Sequence, residues 1–148
     1  MPFIVLGIIF MDQLSKYIVE ENMRLGMSIP VIPDIFHITY ILNPGAAFGI
    51  LENQRWFFVA VALLLLVVVG YFYDRFKRES RVTQWGIALL FGGAAGNLID
   101  RVKTGYVVDF FDFRIWPIFN IADIAIVIGV GLIMISLFFL QKKEKCHE

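Results

Sequence analysis

The sequence predicts an all-α membrane protein of four transmembrane helices with a small β platform on one membrane surface. Of its 148 residues, 59% are hydrophobic, and the mean hydropathy is +0.75. Ordinary soluble domains are only about 45–50% apolar, so lipid is the expected solvent. Four apolar stretches are also long enough, or nearly so, to cross a bilayer core of about 30 Å as helices. We therefore expect residues 1–148 to form one integral membrane domain.

The four predicted spans cover residues 2–19, 56–73, 82–99 and 118–140. The second span has no charged residue, and the third ends in five small residues, 92–96. Within that string, Gly92 and Gly96 have the Gly-x-x-x-Gly spacing that lets helix backbones approach closely. The spacing indicates packing rather than chemistry.

Basic residues in the short connections predict the orientation. The link at residues 74–81 holds four Lys or Arg residues, and the tail after residue 140 holds three lysines. An even number of spans places this link on the same side as both termini, so we expect that side to be cytoplasmic. The other two connections, at about 20–55 and 100–117, then face outward.

Both outward connections carry signals typical of β-strands. Residues 29–42 are rich in Ile, Val, Phe and Tyr, interrupted by Pro30 and Pro33, and Asn43-Pro44-Gly45 is a favourable turn. Residues 106–113 form a second β-like stretch, with acidic residues among aromatics and valines. We predict a β platform on the outer membrane surface. The alternative is an aromatic belt at the interface without function.

The residue types exclude several kinds of site. No serine lies in a Gly-x-Ser-x-Gly turn, and His37 and His147 cannot form a His-x-x-x-His zinc pair. The single cysteine, Cys146, lies in the predicted cytoplasmic tail, which leaves no Cys-rich metal site. A formal net charge of zero gives no reason to expect a nucleic acid partner. Acidic and amide residues remain.

Asp123 is the most informative acidic residue. A carboxylate near the start of a membrane helix costs several kcal/mol unless it is solvated, paired or protonated. Asn120 lies three residues earlier on the same helix face and could hydrogen-bond it. The structural alternative is that Asp123 merely favours the positive end of the helix dipole.

Asp109 lies in the adjoining outward segment, and a short fold-back can bring it to the same depth as Asp123. Two carboxylates about 3 Å apart cannot both ionise, so they share one proton. The ionised partner then activates water, and the protonated partner donates to the scissile carbonyl. This is the chemistry of an aspartic protease, which needs no metal and no cofactor.

The remaining polar residues are expected to be structural. Asp12 and Lys16, spaced i, i+4, can neutralise each other within the first span. Asp100, next to Arg101, is interpreted as part of an ion pair with that arginine. Two further residues are expected to be solvated at the membrane interface: His37 and Asp112.

Five segments resemble, in order and over nearly the whole chain, the signature blocks of the bacterial lipoprotein signal peptidases (signal peptidase II). They are Asp12-Gln13-Leu14-Ser15-Lys16, Asn43-Pro44-Gly45-Ala46-Ala47-Phe48, Gly96-Asn97-Leu98-Ile99-Asp100-Arg101, Val107-Val108-Asp109-Phe110 and Phe119-Asn120-Ile121-Ala122-Asp123. Each block alone is a weak signal, whereas five in order are a strong one.

The resemblance implies four transmembrane helices in the bacterial inner membrane, an extracytoplasmic β-cradle, and a catalytic pair at Asp109 and Asp123. It implies that Asp12 and Lys16 belong to the structural core. The substrate would be a prolipoprotein whose lipobox cysteine carries diacylglycerol, cut just before that cysteine. Cyclic peptides such as globomycin would be inhibitors. The residues implied to line or support the site are Asn43, Gly45, Asn97, Arg101 and Asn120.

Two other classes of function compete with this interpretation. A small channel or carrier could use Asp12, Lys16 and Asp123 as an ion path. Such proteins are expected to show internal repeats and a polar line through the midplane. Here the second span is wholly apolar and no repeat is found. A purely structural membrane protein would leave Asp109 and Asp123 unexplained.

Overall fold

The computed structural model describes residues 1–45 and 51–145, with side chains up to residue 138. The last three residues of the second signature block and Cys146 lie outside the described residues. In chain order, the elements are α1 (Pro2–Asn22), β1 (Ser28–Ile32), β2 (Phe36–Asn43), α2 (Arg55–Tyr71), α3 (Tyr73–Phe76), α4 (Arg81–Lys103), β3 (Val107–Asp112) and α5 (Ile121–Lys145).

Among the described residues, three segments are long and apolar enough to cross a membrane: Pro2–Asn22, Arg81–Lys103 and Ile121–Phe138. Helix α2 is strongly apolar but has only 17 residues. The mostly helical architecture is as predicted. That four helices cross the membrane stays a prediction.

Helix α4 is the central helix and packs against α1, α2 and α5. Small residues permit this close packing. A Cβ added at Gly92 would lie 3.0 Å from the Ile8 Cβ atom of α1, and one at Gly86 would lie 2.8 Å from the Gly129 carbonyl oxygen of α5. The helix backbones therefore approach closely on both sides of α4, as the glycine spacing indicates.

The three strands form one antiparallel sheet in the order β1-β2-β3. Both predicted β-like regions are thus strands of a small sheet. Its hydrophobic core joins α1 to β3 through four buried side chains: Val19, Met23, Val108 and Phe110. In the β2–β3 register, Ile41 lies opposite Asp109 and Asn43 opposite Val107. This pairing brings the end of β2 beside Asp109.

Candidate active site

A cleft of about 610 Å³ opens between the sheet, α4 and α5. Its apolar lining comes from residues 116–119 and from side chains of α5, including Ile124, Val127 and Ile128. The polar part of the lining contains six of the seven residues that the sequence predicts for the site: Asn43, Gly45, Asn97, Arg101, Asp109 and Asp123. The seventh, Asn120, is fully buried and contacts Asn97, Asp109 and Asp123 from behind.

Asp109 of β3 is 1% exposed and is held by two side-chain amides. Asn120 Nδ2 donates to Asp109 Oδ1 over 2.6 Å, and Asn43 Nδ2 donates to Asp109 Oδ2 over 2.8 Å. Burial, together with the negative charge of Asp123, raises the pKa of Asp109 to about 7, although both amide hydrogen bonds favour the ionised form. Asp109 can therefore hold a proton close to neutral pH.

Asp123 is the third residue of α5, where it forms a reciprocal cap with Asn120. The Asp123 N–H donates to Asn120 Oδ1 over 3.0 Å, and the Asn120 N–H donates to Asp123 Oδ2 over 3.2 Å. This is the geometry of a capping box. It explains why α5 begins at Ile121 rather than at the predicted residue 118. The structural role at the helix N-terminus is therefore real, yet the same carboxylate also lines the cleft.

Three side-chain amides donate hydrogen bonds from their NH2 groups to the two carboxylates. The oxygen of each amide accepts from a group that can only donate, and this contact orients the amide. Asn43 Oδ1 accepts the Gly45 N–H over 2.9 Å. Asn120 Oδ1 accepts the Asp123 N–H. Asn97 Oδ1 accepts from the Lys16 ammonium over 3.1 Å, so that its Nδ2 donates to Asp123 Oδ1 over 2.8 Å. Because a donor-only group must face an oxygen, these contacts fix which end of each amide meets a carboxylate.

Arg101 has partners other than the one predicted. Its Nη2 donates to the Gly45 carbonyl over 2.8 Å, and its guanidinium lies 4.6 Å from the ring centre of Phe58. The ion pair of Asp100 is instead with Lys16, at 2.7 Å. The predicted Asp100–Arg101 pair is wrong because neighbouring residues on a helix point in different directions, whereas Lys16 approaches Asp100 from α1.

Asp12 and Lys16 form the expected ion pair, at 2.8 Å, and are 0% and 2% exposed. With Asp100 they make a buried cluster of three charges. Asp12 also accepts the Ala122 N–H over 3.0 Å, which ties the cluster to α5. The sequence predicts no separate role for Gln13, yet its Nε2 donates to Asp100 Oδ1 over 2.8 Å. The cost of an amide within an apolar span was the signal that could have identified it.

The environment of Asp112 also differs from the predicted one. The residue is only 4% exposed, whereas the sequence predicts a solvated side chain. It accepts hydrogen bonds from Thr39 over 2.8 Å and from Arg114 over 3.0 Å. Burial alone would raise the pKa of Asp112, but these hydrogen bonds and the arginine charge together hold it below the usual range. Its cross-strand neighbour His37 is half-buried and contacts Ser28 over 3.0 Å. Neither residue lines the cleft.

The arrangement suits proton transfer between two carboxyl groups. Each of their four oxygens accepts an N–H group, and such donors bind anions rather than cations. Within residues 1–45 and 51–138, no three His, Cys, Asp or Glu side chains are grouped to hold a metal ion. The cleft thus presents a buried Asp109 and a half-buried Asp123, each held by amide N–H groups, beside an apolar wall.

Comparisons with known proteins match nearly the whole chain. The family model of signal peptidase (SPase) II matches residues 4–139. A lipoprotein signal peptidase of Desulfitobacterium hafniense is 46% identical over 99% of this chain and 98% of its own length. One from Moorella thermoacetica is 48% identical over 88% of each chain.

A solved structure agrees with these relatives. It is described as a bacterial membrane enzyme determined by the in meso method at 2.3 Å resolution. It superposes with a TM-score of 0.86 at 44% identity, covering 92% of this chain and 85% of the other. A second such structure, at 1.9 Å, gives a TM-score of 0.82 at 44% identity, over 91% and 90% of the two chains. On the evidence of sequence, fold and site together, this chain belongs to the signal peptidase II family.

Proposed function

We propose that this protein is a membrane aspartic endopeptidase that removes the signal peptide from diacylglyceryl-modified prolipoproteins. One observation carries the proposal. Asp109 and Asp123 come from different elements, line the same cleft, and have every carboxylate oxygen held by an N–H donor. Asp109 is buried, Asp123 is half-buried, and the negative charge of Asp123 contributes to the raised pKa of Asp109, as expected for two carboxyl groups that share one proton.

The mechanism assigns one task to each carboxyl group. With the raised pKa, Asp109 carries the shared proton and donates it to the scissile carbonyl oxygen. Asp123 accepts a proton from the attacking water, whose oxygen bonds to the carbonyl carbon. Collapse of the tetrahedral intermediate breaks the C–N bond: one of its two hydroxyl protons returns to Asp109, and the proton on Asp123 passes to the leaving amine. Both groups then return to their starting states.

The two walls of the cleft fit a lipidated substrate. The polar wall around Asn43 and Arg101 suits a peptide backbone, while the apolar wall with Ile124, Val127 and Ile128 suits acyl chains. The cut would fall before the lipidated lipobox cysteine. A cyclic peptide such as globomycin would compete for the same cleft.

Four helices are proposed to cross the bacterial inner membrane. The 17 residues of α2 meet the lower end of the range of about 17–25 residues that a spanning helix needs. The sheet and the cleft would then lie at the extracytoplasmic face, with both termini in the cytoplasm.

The orientation predicts the labelling of Cys146. A membrane-impermeant maleimide applied to intact cells should leave this cysteine unlabelled, because the lysine-rich tail is expected to be cytoplasmic. Labelling should appear once the cells are permeabilised. A variant with a cysteine at the exposed position Leu25 provides the control that should label in intact cells. Rapid labelling of Cys146 before permeabilisation would reverse the proposed topology.

The pH dependence of cleavage should be bell-shaped, with an alkaline limb near pH 7. The pKa of Asp109 is raised to about 7, so its proton is present below that pH and lost above it. The acidic limb reflects protonation of the base, and both limbs report on the pair as a coupled unit. The measurement is kcat/KM against pH, which reports on the free enzyme, with and without a chelator. A rate that rises steadily above pH 8, or that zinc restores after chelation, would exclude this mechanism.

Cleavage of a diacylglyceryl precursor by purified protein in detergent tests the function directly. An enzyme should release the signal peptide, and globomycin should suppress the release. The same precursor without its lipid should be cut far more slowly, because it leaves the apolar wall unfilled. A channel, a carrier or a structural protein would cut neither precursor.

A further inference from the structure

We propose that Lys16 is a positioning residue for the reaction: its buried ammonium orients the Asn97 amide, which in turn holds the carboxylate of Asp123. The inference rests on the proposed function and extends it to a side chain outside the cleft.

The Lys16 ammonium has three acceptors, which match its three hydrogens. Two are the carboxylates of Asp12 and Asp100, at 2.8 and 2.7 Å. The third is Asn97 Oδ1, at 3.1 Å. Charge neutralisation accounts for the first two contacts only. The third is directed at an amide whose other end touches Asp123.

The contact matters because the side-chain amide of an asparagine can adopt two orientations. A turn of about 180° about its terminal torsion exchanges the oxygen and the NH2 group. In the present orientation, Asn97 Nδ2 donates to Asp123 Oδ1. In the other orientation, the Asn97 amide oxygen would face Asp123 Oδ1. Lys16 opposes the turn, since an ammonium would then meet an NH2 group.

The second donor to Asn97 Oδ1 cannot replace Lys16. It is Asn120 Nδ2, at 3.1 Å, and the same nitrogen also donates to Asp109 at 2.6 Å. A neutral, shared amide donor is weaker than an ammonium. Without Lys16, the Asn97 amide would therefore lose its principal constraint.

The positive charge of Lys16 also acts electrostatically on the carboxyl pair of Asp109 and Asp123. Its positive charge lowers the pKa of Asp109, so its removal should raise that pKa and move the alkaline limb to higher pH. The charged groups packed around the pair come from four elements: Asp12 and Lys16 on α1, Asp100 and Arg101 on α4, Asp109 on β3 and Asp123 on α5.

The test is steady-state cleavage by Lys16→Met, expressed per folded molecule. We expect kcat to fall about 10- to 100-fold, the range typical of residues that orient a catalytic group from behind. KM should stay unchanged because Lys16 does not line the cleft. The alkaline limb should move upward. Lys16→Gln keeps an N–H donor and should recover part of kcat.

Gly92→Ala provides a matched control for a purely structural effect. The added Cβ would press on Ile8 in the same α1–α4 interface, without touching the polar network. Its melting temperature should fall, while kcat per folded molecule and the pH limbs stay as in the wild type. A Lys16→Met protein that behaves in the same way would overturn the proposal.

A double-mutant cycle with Asn97→Ala decides whether Lys16 acts through the amide. Once Asn97 is removed, Lys16→Met should cause little further loss of kcat. Additive losses would overturn the proposal. If Lys16→Met does not accumulate, Lys16→Gln replaces it in the cycle. If the wild type cuts no precursor, or Asp109→Asn stays active, the proposed function fails. If the wild type cuts and both Asp109→Asn and Asp123→Asn are inactive, additive losses overturn the Lys16 inference alone.

Discussion

Asp109→Asn and Asp123→Asn should each abolish precursor cleavage, lowering kcat by about 1,000-fold or more while the protein stays folded. Asparagine is nearly isosteric with aspartate and carries no charge, so it lowers the cost of burial. It cannot exchange the proton that makes one partner an acid and the other a base. Cleavage of a diacylglyceryl precursor and thermal unfolding in the same detergent check both parts. The two losses should be non-additive, since the residues act as a unit.

Asp112→Asn is the matched control for the loss at Asp109. It changes the same kind of residue in the same strand, three positions away. Asp112 contacts Thr39 and Arg114 outside the cleft, so this variant should keep most of its activity. An active Asp109→Asn beside an inactive Asp112→Asn would show that the pair is wrongly assigned.

Asn120→Ala should lower the rate of cleavage without abolishing it, because Asp109 keeps its hydrogen bond from Asn43.

Asp12→Ala should lower the free energy of unfolding by about 3 kcal/mol, because it breaks a buried ion pair. The substitution removes one of the two carboxylates that neutralise Lys16 and leaves the Ala122 N–H without its acceptor. Lys16 keeps Asp100 at 2.7 Å, which places the loss at the lower end of the usual range. Thermal unfolding in detergent and the yield in membranes measure the effect, while kcat per folded molecule should change little.

Asp74→Ala provides the control for Asp12→Ala. It also removes a lysine-paired aspartate, but the Lys77–Asp74 contact is long, at 3.5 Å, and both side chains are exposed. Exposed ion pairs contribute little, so this variant should unfold like the wild type. If Asp12→Ala accumulates and unfolds normally but has lost its activity, Asp12 belongs to the site.

The sequence by itself determined the membrane class, the small sheet and the candidate acids. Apolar length indicates membrane helices because the bilayer sets a minimum span. The turn at Asn43-Pro44-Gly45 and the runs of Ile, Val and Phe indicate strands through local backbone preferences. Asp123 stands out because a carboxylate in an apolar span is costly, whatever the fold. Each of these inferences depends on neighbours within a few positions along the chain.

Only the tertiary structure decided which polar groups meet. The partner of Asp100 is Lys16, 84 positions earlier in the chain, and not the adjacent Arg101. Asp112 is buried because β2 brings Thr39 against it. The orientation of the Asn97 amide depends on contacts that join α1, α4 and α5. The charge of a side chain and the free-energy cost of burying it can be inferred from a sequence. Its hydrogen-bond partners depend on directions and distances that arise only when distant segments pack.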